Sequence, residues 1–187
     1  MEKASDIFSK SSYWANFFRT NTSKDDIETL LLSMPPFAHL DQKHLRILIK
    51  LLHNRVYAPN EYLFLQGDPG VGLYIIKEGE VQIIQDTGEG NKLELAKFCK
   101  GDFLGEIALL DDEPRSGSAI ALKETQIVVI FKPDLDEFIE KYPKFGIGIL
   151  KGISVIVSTR LRILNDDFFS LYNKYKNLSE ELKDGND

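Results

Sequence analysis

The chain has 187 residues, 43% of them apolar and 28% charged, enough for one domain with a buried core and inconsistent with global disorder. Its 23 lysines and arginines stand against 29 aspartates and glutamates, and the formal charge of -6 argues against binding nucleic acid or anionic lipid by bulk charge. The single cysteine, Cys99, excludes an intrachain disulfide and fits a reducing cytoplasm; no apolar run approaches the roughly 20 residues of a membrane-spanning helix.

Near the start, Tyr13, Trp14, Phe17 and Phe18 fall at helical spacing and are expected to pack on the body of the domain. From Ser23 to His53 the pattern predicts helix. Ile27, Leu30, Leu31 and Met34 share a face that Pro35 and Pro36 end, and Asp41 then caps a second helix bearing Leu45, Leu48, Ile49 and Leu52. From about Asn54 the grammar changes to short strands: Tyr62–Gln66, Leu73–Lys77, Val81–Gln85, Leu93–Phe98, Ser118–Leu122 and Thr125–Phe131. Turns recur about every 10 residues, which points to an antiparallel barrel or jelly roll and not to a βαβ sheet. After Pro133 the chain reads as helix almost to its end, with Gly185–Asp187 as a frayed terminus. Leu135, Phe138 and Ile139 mark a short segment that Pro143 interrupts. Leu161, Leu164, Phe168, Leu171, Tyr175, Leu178 and Leu182 then recur at alternating steps of three and four, a heptad seam.

No catalytic constellation is evident. His39, His44 and His53 each sit beside apolar neighbours, where packing is the expected role, and there is no metal-ligand spacing, Walker loop or nucleophile elbow. The acidic run Asp111, Asp112, Glu113 lacks calcium-loop spacing and reads as a solvated turn. Enzymatic activity is not expected.

One segment carries chemistry: Gly101-Asp102-Phe103-Leu104-Gly105-Glu106-Ile107-Ala108-Leu109-Leu110, followed by Pro114-Arg115-Ser116-Gly117-Ser118-Ala119. It reads as a tight turn, one turn of helix, a loop and a strand that starts with the arginine. Gly105 removes a side chain where backbone must come close, and the amides of Glu106, Ile107 and Ala108 would suit an anion. Arg115 offers a planar fork matched to phosphate oxygens, with the hydroxyls of Ser116 and Ser118 beside it. Glu106 would repel a bare phosphate but can accept from a ligand hydroxyl next to one. The alternative is that Glu106 and Arg115 pair with each other and Gly105 serves only a turn.

This block resembles the phosphate-binding cassette of the cyclic nucleotide-binding domain family. The resemblance extends upstream through Pro36–Leu40, Tyr57–Glu61, Leu65–Asp68 and Leu73–Val81, covering roughly residues 36 to 140. Leu104 stands where many members have phenylalanine, and Gly117 where alanine is usual. The resemblance implies a mainly β fold with flanking helices: an eight-stranded antiparallel jelly-roll barrel, N-terminal helices and a long C-terminal helical segment. It divides the chain into an extension over 1–35, the nucleotide-binding domain over 36–140 and lid or dimerisation helices over 141–187. By position, Glu106 would hold the ribose 2′-hydroxyl and Arg115 the cyclic phosphate, with Gly105, Ile107, Ala108, Ser116 and Ser118 around them. The ligand would be cAMP, with cGMP as the alternative, and no further cofactor or metal is implied. Helices after the barrel would close over the base; the lid is expected between Pro143 and Leu164, with Val157, Ser158, Thr159 and Arg160 as candidate contacts. The expected protein is a cytoplasmic stand-alone sensor with no DNA-binding domain. Its output is an unidentified protein partner or a homodimer through 161–182, the rival for that seam being the N-terminal aromatic helix. The competing reading is a nucleotide-free scaffold that acts through its helical ends.

Overall fold

The computed structural model describes residues 27–88, 91–110 and 113–184. The aromatic cluster at Tyr13–Phe18, the first residues of the expected opening helix, Asp111, Asp112 and the Gly185–Asp187 end lie outside the described residues. Helix α1 (Ile27–Leu32) buries Leu30 and Leu31 and stops short of Pro35-Pro36, as two prolines without amide donors require. Helix α2 (Gln42–Ile49) starts at Asp41, whose carboxylate accepts from the His44 amide at 2.9 Å.

Eight strands follow among the described residues: β1 (His53–Tyr57), β2 (Tyr62–Phe64), β3 (Gly72–Glu78), β4 (Glu80–Asp86), β5 (Lys92–Cys99), β6 (Phe103–Leu104), β7 (Ser118–Ala121) and β8 (Thr125–Phe131). They pair into two four-stranded antiparallel sheets, in the orders β1-β8-β3-β6 and β2-β7-β4-β5. The mainly β fold with flanking helices is as expected, but no ladder joins the two sheets, so in its hydrogen bonding the expected closed barrel is a pair of open sheets. His53, expected in helix, opens β1, and the strand after the cassette begins at Ser118 and not at Arg115.

The sequence of β3 and β8 shows why one sheet has a core on each side. Tyr74 and Ile76 of β3, with Ile127 and Val129 of β8, join Val81, Phe98, Leu104, Ala119 and Ala121 in a cluster shared by both sheets. The alternate residues, Leu73, Ile75, Val128 and Ile130, join the helices' Leu31, Phe37, Leu45 and Phe138. Because successive strand side chains point to opposite faces, a strand buried on both must be apolar without interruption. Two helices complete the fold, α3 (Lys132–Lys141) and α4 (Pro143–Asp184), the second opening on the proline that ends the first. Its Ile149, Ile153 and Ile156 are at most 1% exposed and seat α4 on the helical side of the core.

Candidate functional site

The cassette is positioned by β6, which pairs with β3 through Tyr74↔Leu104 and Ile75↔Phe103. At Gly105 the backbone takes φ +84°, a left-handed conformation. A Cβ there would overlap Arg115 Nη1 and come within 2.9 Å of the Gly72 carbonyl oxygen, so the glycine is required by the arginine packed on it. The expected helical turn is a short 3-10 segment, Ile107–Leu109, closed by the Leu109 amide donating to Glu106 O at 3.1 Å. Among the described residues, no backbone hydrogen bond uses the amide of Ile107.

Arg115 arrives from the loop before β7 and is fixed by main chain and side chain alike. Its amide donates to Asp68 O at 2.8 Å and its carbonyl accepts from Gly67 N at 2.9 Å, tying it to the turn after β2. Its guanidinium lies over the Phe64 ring at 4.4 Å and near Tyr74 at 5.5 Å. Nη2 donates to Gly72 O at 2.8 Å and Nη1 to Gly105 O at 3.3 Å. The residue is 7% exposed, its buried Nε has no hydrogen-bond partner among the described residues, and none of their ion pairs includes it. Burial pushes the guanidinium below the ordinary arginine range, against the opposing pull of Tyr74, Glu106 and Asp68. The alternative of a Glu106–Arg115 pair is therefore not what forms.

Glu106, 1% exposed, instead pairs with Arg160 of α4, whose Nη2 also donates to Phe103 O at 3.0 Å. The Arg160 guanidinium sits between the rings of Phe98 and Phe103, at 5.6 and 5.4 Å. Of the lid residues singled out in the sequence, Arg160 meets the cassette. The Thr159 hydroxyl donates to its own helix at Val155 O, 2.9 Å away, while Ser158 is exposed and Val157 packs on the helical core.

These groups open on a cavity of about 490 Å³, a size common for small-molecule sites. Gly105, Glu106, Ile107, Arg115 and Ser116 line it, together with Glu113. Ser118 does not: its Oγ accepts from the Gln66 amide at 2.8 Å and braces the β2–β3 turn. The apolar wall comes from Phe64, Ile83, Leu95, Phe98 and Leu104, and α4 adds Arg160, Ile163, Leu164 and Asp167.

Sequence reasoning missed Ile163 and Asp167. The signal was available: Ile149, Ile153, Ile156, Arg160, Ile163 and Asp167 recur at steps of four and three, one continuous inward stripe. Two polar members hid it, and the outward seam starting one residue later at Leu161 is louder. Among the described residues, no group of histidine, cysteine, aspartate and glutamate side chains could hold a metal ion, and no helix is long and apolar enough to cross a membrane.

Comparison with known proteins agrees with this geometry. Residues 54–142 match the family model described as the cyclic nucleotide-binding domain. The chain is 28% identical over 128 residues to a cyclic AMP receptor protein of Thermus thermophilus, spanning 68% of this chain and 57% of that one. It is 31% identical over 105 residues to a cAMP-dependent protein kinase regulatory subunit of Hypocrea atroviridis, spanning 56% and 22%. A cyclic nucleotide-binding domain from Methylobacillus flagellatus has the same fold, with a TM-score of 0.64 at 22% identity over 91% of this chain and 85% of that one. The chain thus spans just over half the length of the first relative and under a quarter of the second. Over residues 54–142 this chain is similar in sequence and in fold to the cyclic nucleotide-binding domain family.

Proposed function

We propose that the chain is a cyclic nucleotide sensor that binds cAMP in preference to cGMP and relays binding through rearrangement of α4. One observation carries the reading. Arg115 is a buried guanidinium whose Nε has no hydrogen-bond partner and which pairs with no carboxylate among the described residues, and it opens on the same cavity as Glu106. A desolvated cation without a counter-charge is costly unless an anion completes it, and a cyclic monophosphate carries one negative charge. In this reading Arg115 holds the phosphate, Glu106 accepts from the ribose hydroxyl, and Gly105 admits the arginine. The amides of Ile107 and Ala108 and the Ser116 hydroxyl complete the phosphate contacts, and Ser118 supports the turn behind them. The preference for cAMP is supported by the similarity to a cyclic AMP receptor protein and to a cAMP-dependent protein kinase regulatory subunit.

The proposed division of the chain is an N-terminal extension over 1–35, the ligand domain over 36–140 and lid or dimerisation helices over 141–187. The proposed role is that of a binding protein of the cytoplasm that passes its signal to a protein partner or to a second copy through 161–182.

The test is calorimetric titration of the purified protein with cAMP and cGMP, with Arg115→Ala as control. Saturable binding that is tighter for cAMP and lost in the variant is expected, since truncating one partner of a buried charged contact costs about 2–5 kcal/mol. Absence of heat and of any thermal shift from folded protein overturns the sensor and leaves the scaffold reading.

A further inference from the structure

Arg115 is held by neutral groups. Nη2 and Nη1 donate to the carbonyl oxygens of Gly72 and Gly105, and no ion pair among the described residues includes the side chain. Its guanidinium carbon lies over the Phe64 ring, 4.4 Å from the centroid. Phe64 reaches that place through an irregularity in β2. From Tyr62 to Phe64 the partner on β7 advances by one residue, Ile120 to Ala119, where a regular antiparallel ladder would advance by two. In a regular strand Leu63 and Phe64 would point to opposite faces. With the bulge both turn to the same cluster: Leu63 is buried in it, and Phe64 packs against it with its ring 5.4 Å from that of Tyr74. The Phe64 ring thereby lines the cavity beside the arginine.

On the reading that the ligand is a cyclic monophosphate, we infer that Phe64 is a positioning residue for its binding: the bulge in β2 aims the ring at Arg115, and the ring holds the guanidinium in place without neutralising it. A carboxylate in that position would hold the cation as firmly, but it would occupy the donors and cancel the charge that an entering anion needs. An aromatic face attracts the cation through the ring quadrupole and takes none of its N–H groups. Nε, buried and without a hydrogen-bond partner among the described residues, is the donor that this arrangement keeps for the ligand. An aliphatic side chain would fill the same space but would leave the desolvated guanidinium without attraction on that side. Tyr74 lies farther off, at 5.5 Å, so Phe64 supplies the closer face.

The test is calorimetric titration of the full chain with cAMP, with the Tm of each variant taken on the same sample. Phe64→Leu is expected to weaken binding about tenfold, the order of one desolvated cation–ring contact, and Phe64→Tyr to stay within about twofold of the wild type. A second comparison separates an effect through Arg115 from one on the ligand itself. In an Arg115→Lys background no planar guanidinium is left to lie on the ring, and adding Phe64→Leu is expected to cost less than about threefold. Wild-type affinity in Phe64→Leu, a Phe64→Tyr as weak as Phe64→Leu, or equal losses in the two backgrounds overturns the proposal. Should Phe64→Leu fail to fold, Phe64→Met takes its place under the same criteria. Should Arg115→Lys bind too weakly to titrate, the contrast between Phe64→Tyr and Phe64→Leu decides. A wild type that binds no cAMP removes the ligand reading itself, an outcome distinct from all of these.

Discussion

Gly105 and Arg115 show how one residue licenses another. The guanidinium occupies the space a Cβ at Gly105 would need, and the glycine's φ of +84° is one that other residues adopt only with strain. Gly105→Ala is therefore expected to destabilise the fold by about 1–3 kcal/mol and to weaken cAMP binding more than Tm alone would suggest, because the displaced group is the guanidinium proposed to hold the phosphate. Thermal unfolding and titration on the same sample separate the two effects. A variant with the wild-type affinity would mean that Arg115 does not bind from this position. At this scale much was legible: Gly105, Glu106, Arg115 and Ser116 stand in one short segment whose chemistry reads without a fold. The partner of Glu106 was not, because nothing local links positions 106 and 160; Arg160 could be flagged as a lid residue but not assigned to a carboxylate.

At the scale of elements, legibility followed burial. Strands β3 and β8, apolar on both faces, announce themselves, whereas β1 is exposed at four of its five residues and gives no alternation to detect. Strand β6 has two residues and exists only because β3 offers it a partner. Helix α2 is different: its cap was readable and has a pH signature. The His44 amide, then the His44 side chain, hold the Asp41 carboxyl below its usual range. A depressed folded-state pKa stabilises above the unfolded value and is lost as pH falls through the folded one. Asp41→Asn keeps an acceptor for the cap but does not titrate. The wild type's advantage in Tm over this variant is expected at neutral pH and should shrink below a pH of about 4; an advantage that persists there would refute the assignment. The base of α4 makes a second prediction. A Cβ at Gly152 would overlap Pro36 Cα and the Pro35 carbonyl, and one at Gly148 would overlap the His39 ring, whose Nε2 lies 3.0 Å from Phe145 O. Backbone packed on backbone has no rotamer with which to yield. Gly152→Val is expected to cost about 1–3 kcal/mol by overpacking, read as a lower midpoint in urea with an unchanged slope.

At the scale of the molecule, α4 presents two stripes that turn apart by one residue. The inward one runs from Ile149 to Asp167 and serves the core and then the cavity. The outward one, Leu161, Leu164, Phe168, Leu171, Tyr175 and Leu178, leaves every member more than half exposed. Phe169 at 62% and Tyr172 at 56% widen the apolar face. Large apolar side chains repeating at steps of three and four over five turns of helix form a surface that solvent does not favour and that a second such helix would cover. Leu164 belongs to both worlds, since it lines the cavity and forms part of the seam. We therefore expect self-association through this face and a dependence of that association on ligand. In sedimentation velocity at tens of micromolar, the wild type should run at twice the chain mass, and Leu171→Glu with Leu178→Glu should run at the single mass. Both should melt cooperatively and titrate cAMP, because neither substituted position lines the cavity. Adding cAMP should shift the wild-type equilibrium, as contacts made at Leu164 on the inside change what it offers on the outside. A wild type that stays monomeric with and without nucleotide would refute self-association and leave the seam to a different protein or to the aromatic segment at Tyr13–Phe18.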